Sequence, residues 1–137
     1  MNRPHSLARA LSPLAFVITH AASAQCPAQW HPTAGASGGS GSNISALAVW
    51  DSDGPGPKAP VLVLGGFFDT AGGVAAANIA TWDGTTFAPL GTGIVGQVDA
   101  LAVLPDGRLV AAGYFTDAGG VTVGSVAAWN GVSWSAL

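Results

Sequence analysis

A seven-residue segment recurs in this chain at a fixed distance, and a repeat constrains a fold more than any single motif does. Phe68-Asp69-Thr70-Ala71-Gly72-Gly73-Val74 returns as Phe115-Thr116-Asp117-Ala118-Gly119-Gly120-Val121, an offset of 47 residues. The same offset carries Ile79-Ala80-Thr81-Trp82-Asp83-Gly84 onto Val126-Ala127-Ala128-Trp129-Asn130-Gly131, and Leu90 onto Leu137. Upstream, Ala46-Leu47-Ala48-Val49 returns as Ala100-Leu101-Ala102-Val103 at an offset of 54, so the first unit carries seven extra residues within 51–60. They fall between two strands, where added length costs little. A partial third copy opens at Trp30, in the part of Phe87 and Trp134, before a Gly/Ser-rich stretch at 35–42 that reads as a long turn between units.

Each unit parses into four short strands. In the second copy these are residues 98–103, 108–112, 125–129 and 132–137, with Pro105-Asp106-Gly107 turning the first hairpin. Asn130-Gly131 and its counterpart Asp83-Gly84 suit a two-residue type I′ turn, whose central positions both need positive φ. That turn would set Trp129 opposite Val132 and Ala127 opposite Trp134, so that the two indoles meet diagonally on one face. Trp82 and Phe87 repeat the arrangement. Such a pair is first of all a packing device between sheets; its functional reading is a sugar-stacking platform made by Trp82, Trp129 and Trp134. Small residues in strand one and rings in strands three and four fit a β-propeller blade, narrow at the central channel and wide outside. A β-sandwich would match the strand number without explaining the 47-residue return.

Composition agrees with an all-β chain. Glu is absent, Lys occurs once and charged residues make up 8% of the 137, whereas helix surfaces draw on both. An apolar share of 49% argues against disorder. Arg3 and Arg9, an apolar stretch at 10–19 and Ala22-Ser23-Ala24 make the three-part pattern of a cleaved signal peptide over residues 1–24, too short to be a stable membrane span. Export to the periplasm, cell surface or medium follows. Its removal leaves Lys58 and Arg108 against seven aspartates, a net charge of −5, which excludes nucleic acid as a partner. Cys26 is the one cysteine, so no internal disulfide exists and the core alone must hold the fold.

Little in the chain supports catalysis. His31 is the one histidine left after the signal, and no nucleophile motif accompanies it. Asp69, Asp83, Asp106 and Asp117 sit beside turns, where carboxylates accept hydrogen bonds from local backbone. Asp51-Ser52-Asp53-Gly54 has the alternating oxygens that open a Ca²⁺ loop, but no closing Glu follows, and a solvated turn is the better reading. No metal, cofactor or catalytic residue is expected.

At Phe115-Thr116-Asp117-Ala118-Gly119-Gly120, then Ala127-Ala128-Trp129-Asn130-Gly131 and Trp134, and again at Gly65-Gly66-Phe67-Phe68 through Trp82-Asp83-Gly84, the chain resembles secreted bacterial β-propeller repeats of the kelch-like and Rax2-like type. The resemblance covers residues 30–137. It implies a propeller fold and no particular ligand. The expected layout is a signal peptide at 1–24, an N-terminal segment with an outer strand and the Gly/Ser-rich turn at 25–42, one blade at 43–96 and a second at 97–137. The expected role is a non-catalytic structural or protein-interaction module; a carbohydrate-binding module closing by oligomerisation is the alternative. Closed propellers need about four to eight blades, so two would be completed by C-terminal blades after Leu137 or by homo-oligomerisation. The expected partner is thus a protein or a glycan, of unspecified identity.

Overall fold

The computed structural model describes residues 35–37 and 41–137; the expected signal peptide at 1–24, Cys26, Trp30 and His31 lie outside them. Among the described residues every regular element is a strand, and every pairing is antiparallel. The first unit contains β1 (Ala36–Ser37), β2 (Asn43–Trp50), β3 (Val61–Phe67), β4 (Thr70–Ala71), β5 (Val74–Ala75), β6 (Ile79–Trp82) and β7 (Phe87–Pro89). The second contains β8 (Ile94–Val103), β9 (Leu109–Ala118), β10 (Val121–Thr122), β11 (Val126–Trp129) and β12 (Trp134–Ala136). Strands β2-β3-β6-β7 form one four-stranded sheet. Strands β8-β9-β11-β12 form its counterpart, to which β10 adds a fifth strand on the far half of β9. The three short strands β1-β4-β5 complete the first unit as a small sheet of their own.

The repeat holds bond for bond. Gly72 donates to the Gly35 carbonyl at 3.0 Å as Gly119 does to Gly93 at 2.9 Å, and Ala36 pairs with Ala71 as Ile94 pairs with Ala118. Asn78 and Ser125, 47 residues apart, both take a left-handed backbone at φ 62° and 66°, an uncommon choice for non-glycine residues. Together β1 and β2 are therefore the equivalent of β8. The stretch at 35–42 is not wholly a turn between units: Ala36–Ser37 is already the start of strand one. In the second unit the first two strands outrun their sequence limits, β8 beginning at Ile94 and β9 continuing to Ala118, while β11 and β12 fall short of theirs.

The hairpin turns also differ from expectation. Trp129 pairs directly with Trp134, and Trp82 with Phe87, so the loops are four residues long and the rings are cross-strand neighbours. The cause is the side chain at the first loop position. Asn130 Oδ1 accepts from the Val132 and Ser133 amides at 2.9 and 2.8 Å, and Asp83 Oδ1 from Thr85 and Thr86 at 2.8 and 2.7 Å, which winds the loop through two more residues. Only the glycine of each pair has positive φ. The two-residue turn with both φ positive occurs instead at Gly72-Gly73 (56° and 81°) and Gly119-Gly120 (64° and 82°), inside the recurring heptapeptide.

The two units share one core. Trp50, Val63, Ile79 and Leu90 of the first pack with Val98, Leu109, Phe115, Trp129 and Trp134 of the second. Strand β8 lies against β2 and β3, with Gly65 on β3 at the closest approach: a Cβ there would sit 2.5 Å from Val98 Cγ1. Polar ties fix the register of the units. Trp50 Nε1 donates to the Gly107 carbonyl at 2.8 Å, and Asn78 Nδ2 to the Ile94 carbonyl at 2.7 Å.

Candidate functional site: the two aromatic faces

The three tryptophans singled out by sequence stand in two different environments. Trp129 and Trp134 have ring centroids 5.4 Å apart with planes inclined by 51°, and they are only 7% and 4% exposed. Their cover is the connection between the units. Trp134 Nε1 donates to the Leu90 carbonyl at 3.4 Å, and Gly91 leaves room for the Trp129 ring. From the other side the Gly119-Gly120 turn presses on Trp134, so closely that a Cβ on Gly119 would meet Cδ1 at 2.6 Å. Trp129 Nε1 is buried without a hydrogen-bond partner, which marks this ring as packing for shape. A shallow hollow of ≈ 210 Å³ beside the pair is edged by Thr92, Val121, Val132 and Ser133.

Among the described residues, the equivalent pair in the first unit has no such cover. Trp82 and Phe87 lie 4.5 Å apart at 40° and are each half-buried. They line a groove of ≈ 400 Å³ with Ile44, Leu47, Leu62 and Leu64, an entirely apolar set. Gly72 backs Phe87 as Gly119 backs Trp134. Bringing a single sequence-predicted ring, Trp82, into the groove, the fold adds four aliphatic residues that sequence reasoning passed over. Their signal was present in the repeat: each is the counterpart of a residue in the shared core or packed against it, namely Val98, Leu101, Leu109 and Ala111.

Apart from Asp99 within β8, whose Oδ1 accepts from Gln97 Nε2, the charged groups among the described residues lie at or beside the turns. Hydrogen bonds from the Thr86 and Thr85 amides, with those of their hydroxyls, hold the Asp83 carboxyl far below the ordinary carboxylate range. The Arg108 amide, then its side chain, lowers Asp106 in the same direction, and the guanidinium Nε lies 2.8 Å from Asp106 Oδ2. Asp117 Oδ1 accepts from the Gly120 amide at 2.9 Å. At the acidic loop the Asp53 amide donates to Asp51 Oδ1 and the Lys58 amide to Asp53 Oδ2, both at 3.2 Å, while Asp53 Oδ1 is buried with no hydrogen-bond partner among the described residues. Among the described residues no group of three or more His, Cys, Asp or Glu is placed to hold a metal ion, and no helix is long and apolar enough to cross a membrane.

Comparison with known proteins finds no matching family model, no matching curated protein and no matching solved structure.

Proposed function

We propose that the chain supplies two successive blades of a β-propeller and acts, after export directed by residues 1–24, as a non-catalytic structural or protein-interaction module. One observation carries the reading: the two units are joined by the back of one sheet lying on the front of the next, with first strands closest and large rings filling the wider outer gap. Face-to-back stacking of equivalent four-stranded sheets is how a propeller is built, whereas a sandwich buries the same kind of face from both sheets. The resemblance to kelch-like repeats supports the same architecture. For function, the aspartates at turns accept backbone hydrogen bonds and the Trp82–Phe87 groove is lined by hydrocarbon, without the polar side chains that orient a sugar. A glycan array probed with the full chain tests this. No specific glycan is expected to bind; a signal that disappears in Trp82→Ala would establish the carbohydrate-binding alternative and overturn the proposal.

A further inference from the structure

We infer that the occupant of the Trp82–Phe87 groove is a second copy of this chain, docked head to tail through the open back face of its second unit. The inference rests on the propeller-module reading above and names that module's partner. Its template is the joint already present within the chain. There the back of the first sheet, carrying Trp50, Val63, Gly65 and Ile79, covers the front of the second, carrying Val98, Leu101, Leu109 and Trp129. The repeat offsets place the same two faces at the outer sides of the chain. The front residues become Ile44, Leu47, Leu62 and Trp82 in the groove, and the back residues become Leu104, Val110, Ala112 and Val126 on the second sheet.

Burial follows the same logic. Val98 is fully buried while its counterpart Ile44 is 43% exposed, and Leu47 is 58% exposed. On the back faces Val63 and Ile79 are fully buried, whereas Val110 and Val126 are only half-buried. Among the described residues, both outer faces are thus apolar and uncovered. A contact between different patches of identical chains propagates and closes into a ring when the rotation per copy permits. At about four to eight blades per ring, two-blade chains close with about two to four copies.

Three of the substitutions between the inner joint and the outer one weaken the latter. Ala112 stands for Gly65, so its methyl group holds the sheets further apart than Gly65 does. Leu104 stands for Trp50 and has no side-chain N–H to repeat the bond that Trp50 makes to the Gly107 carbonyl across the inner joint. Arg108 stands for Val61, and its guanidinium is already paired with Asp106. The joint between copies is accordingly looser than the joint within a chain, and it dissociates on dilution.

Sedimentation velocity on the full chain tests the inference, with one arginine placed on each face at an exposed position, Leu47→Arg in the groove and Ala102→Arg on the back of the second sheet. Circular dichroism checks that both variants remain folded. The wild type is expected as a discrete assembly of two, three or four copies and each variant alone as a monomer. An equimolar mixture of the two variants is expected to give 1:1 dimers and nothing larger, since one intact pair of faces remains. A wild-type monomer overturns the inference, whether its groove stays open or is filled by residues 1–34 of the same chain. So does an assembly that survives both substitutions, or a mixture that stays monomeric. None of these outcomes decides between a structural or protein-interaction role and carbohydrate binding, which the glycan array tests separately.

Discussion

Asp83 and Asn130 hold the same turn with different chemistry. Each side-chain oxygen accepts from the two amides that follow, but only the aspartate titrates. Because the folded-state pKa of Asp83 is depressed, its contribution is fully present above the ordinary carboxylate pKa of about 3.9 and is lost as pH falls toward the folded value. Asp83→Asn should keep the turn, as Asn130 does, and flatten the acid limb of a melting-temperature profile below about pH 5. An unchanged acid limb would show that the hydrogen bonds do not favour the charged form. The two environments of the tryptophans make a second prediction. Trp129→Ala should cost about 3–5 kcal/mol by urea denaturation, the usual range for a buried ring. Trp82→Ala, measured in the Ala102→Arg background where the groove is uncovered, should cost about 1–2 kcal/mol, in proportion to its partial burial. Equal losses would contradict the difference in cover. At this scale the repeat made the rings conspicuous but not the aliphatic residues that line the groove with Trp82. It did not distinguish the environments of the rings, because Trp82 and Trp129 hold equivalent places in similar segments and differ in what lies over them.

Between elements, the joint of the two sheets turns on Gly65. An alanine there places a methyl group against Val98 and Leu101, and the overpacking should cost about 1–3 kcal/mol. Truncating the opposing side chain relieves it, so Gly65→Ala and Val98→Ala should show a favourable coupling of at least about 0.5 kcal/mol in a double-mutant cycle. Additive losses would place Gly65 outside the joint. The four main strands of each unit were legible because turn residues punctuate the apolar runs at equivalent places in both copies, apart from the seven extra residues within 51–60; the short strands β4, β5 and β10 were not. The cross-strand register was not. Asn-Gly is the favoured pair for a two-residue turn, and only the bonds of Asn130 to Val132 and Ser133 show that the loop has four residues, while the Gly-Gly of the heptapeptide makes the tight turn. Residues 35–42 misled for a related reason. Small flexible residues signal a turn, yet Ala36–Ser37 pairs with β4 because the recurring heptapeptide carries its partner strand wherever it occurs.

At the scale of the molecule, one cluster of buried side chains spans both units, so neither can lose its core without exposing the other's. Urea unfolding of the Ala102→Arg chain should therefore be a single transition, coincident by far-ultraviolet circular dichroism and by tryptophan fluorescence. Two separated transitions would mean that the units fold independently. The sequence repeat disclosed that there are two equivalent units; it was silent on which face of one meets which face of the other, since front and back are both rich in small apolar residues. That pairing of back to front is what makes the chain resemble a segment of a ring. The most direct measurement is an electron-microscopy or crystallographic map of the assembled full chain. The account predicts a closed ring in which β2 and β8 of every copy line a common axis, with Trp82 and Phe87 covered by the second sheet of a neighbouring copy. An assembly whose copies meet groove to groove, or whose first strands point away from any shared axis, would contradict it.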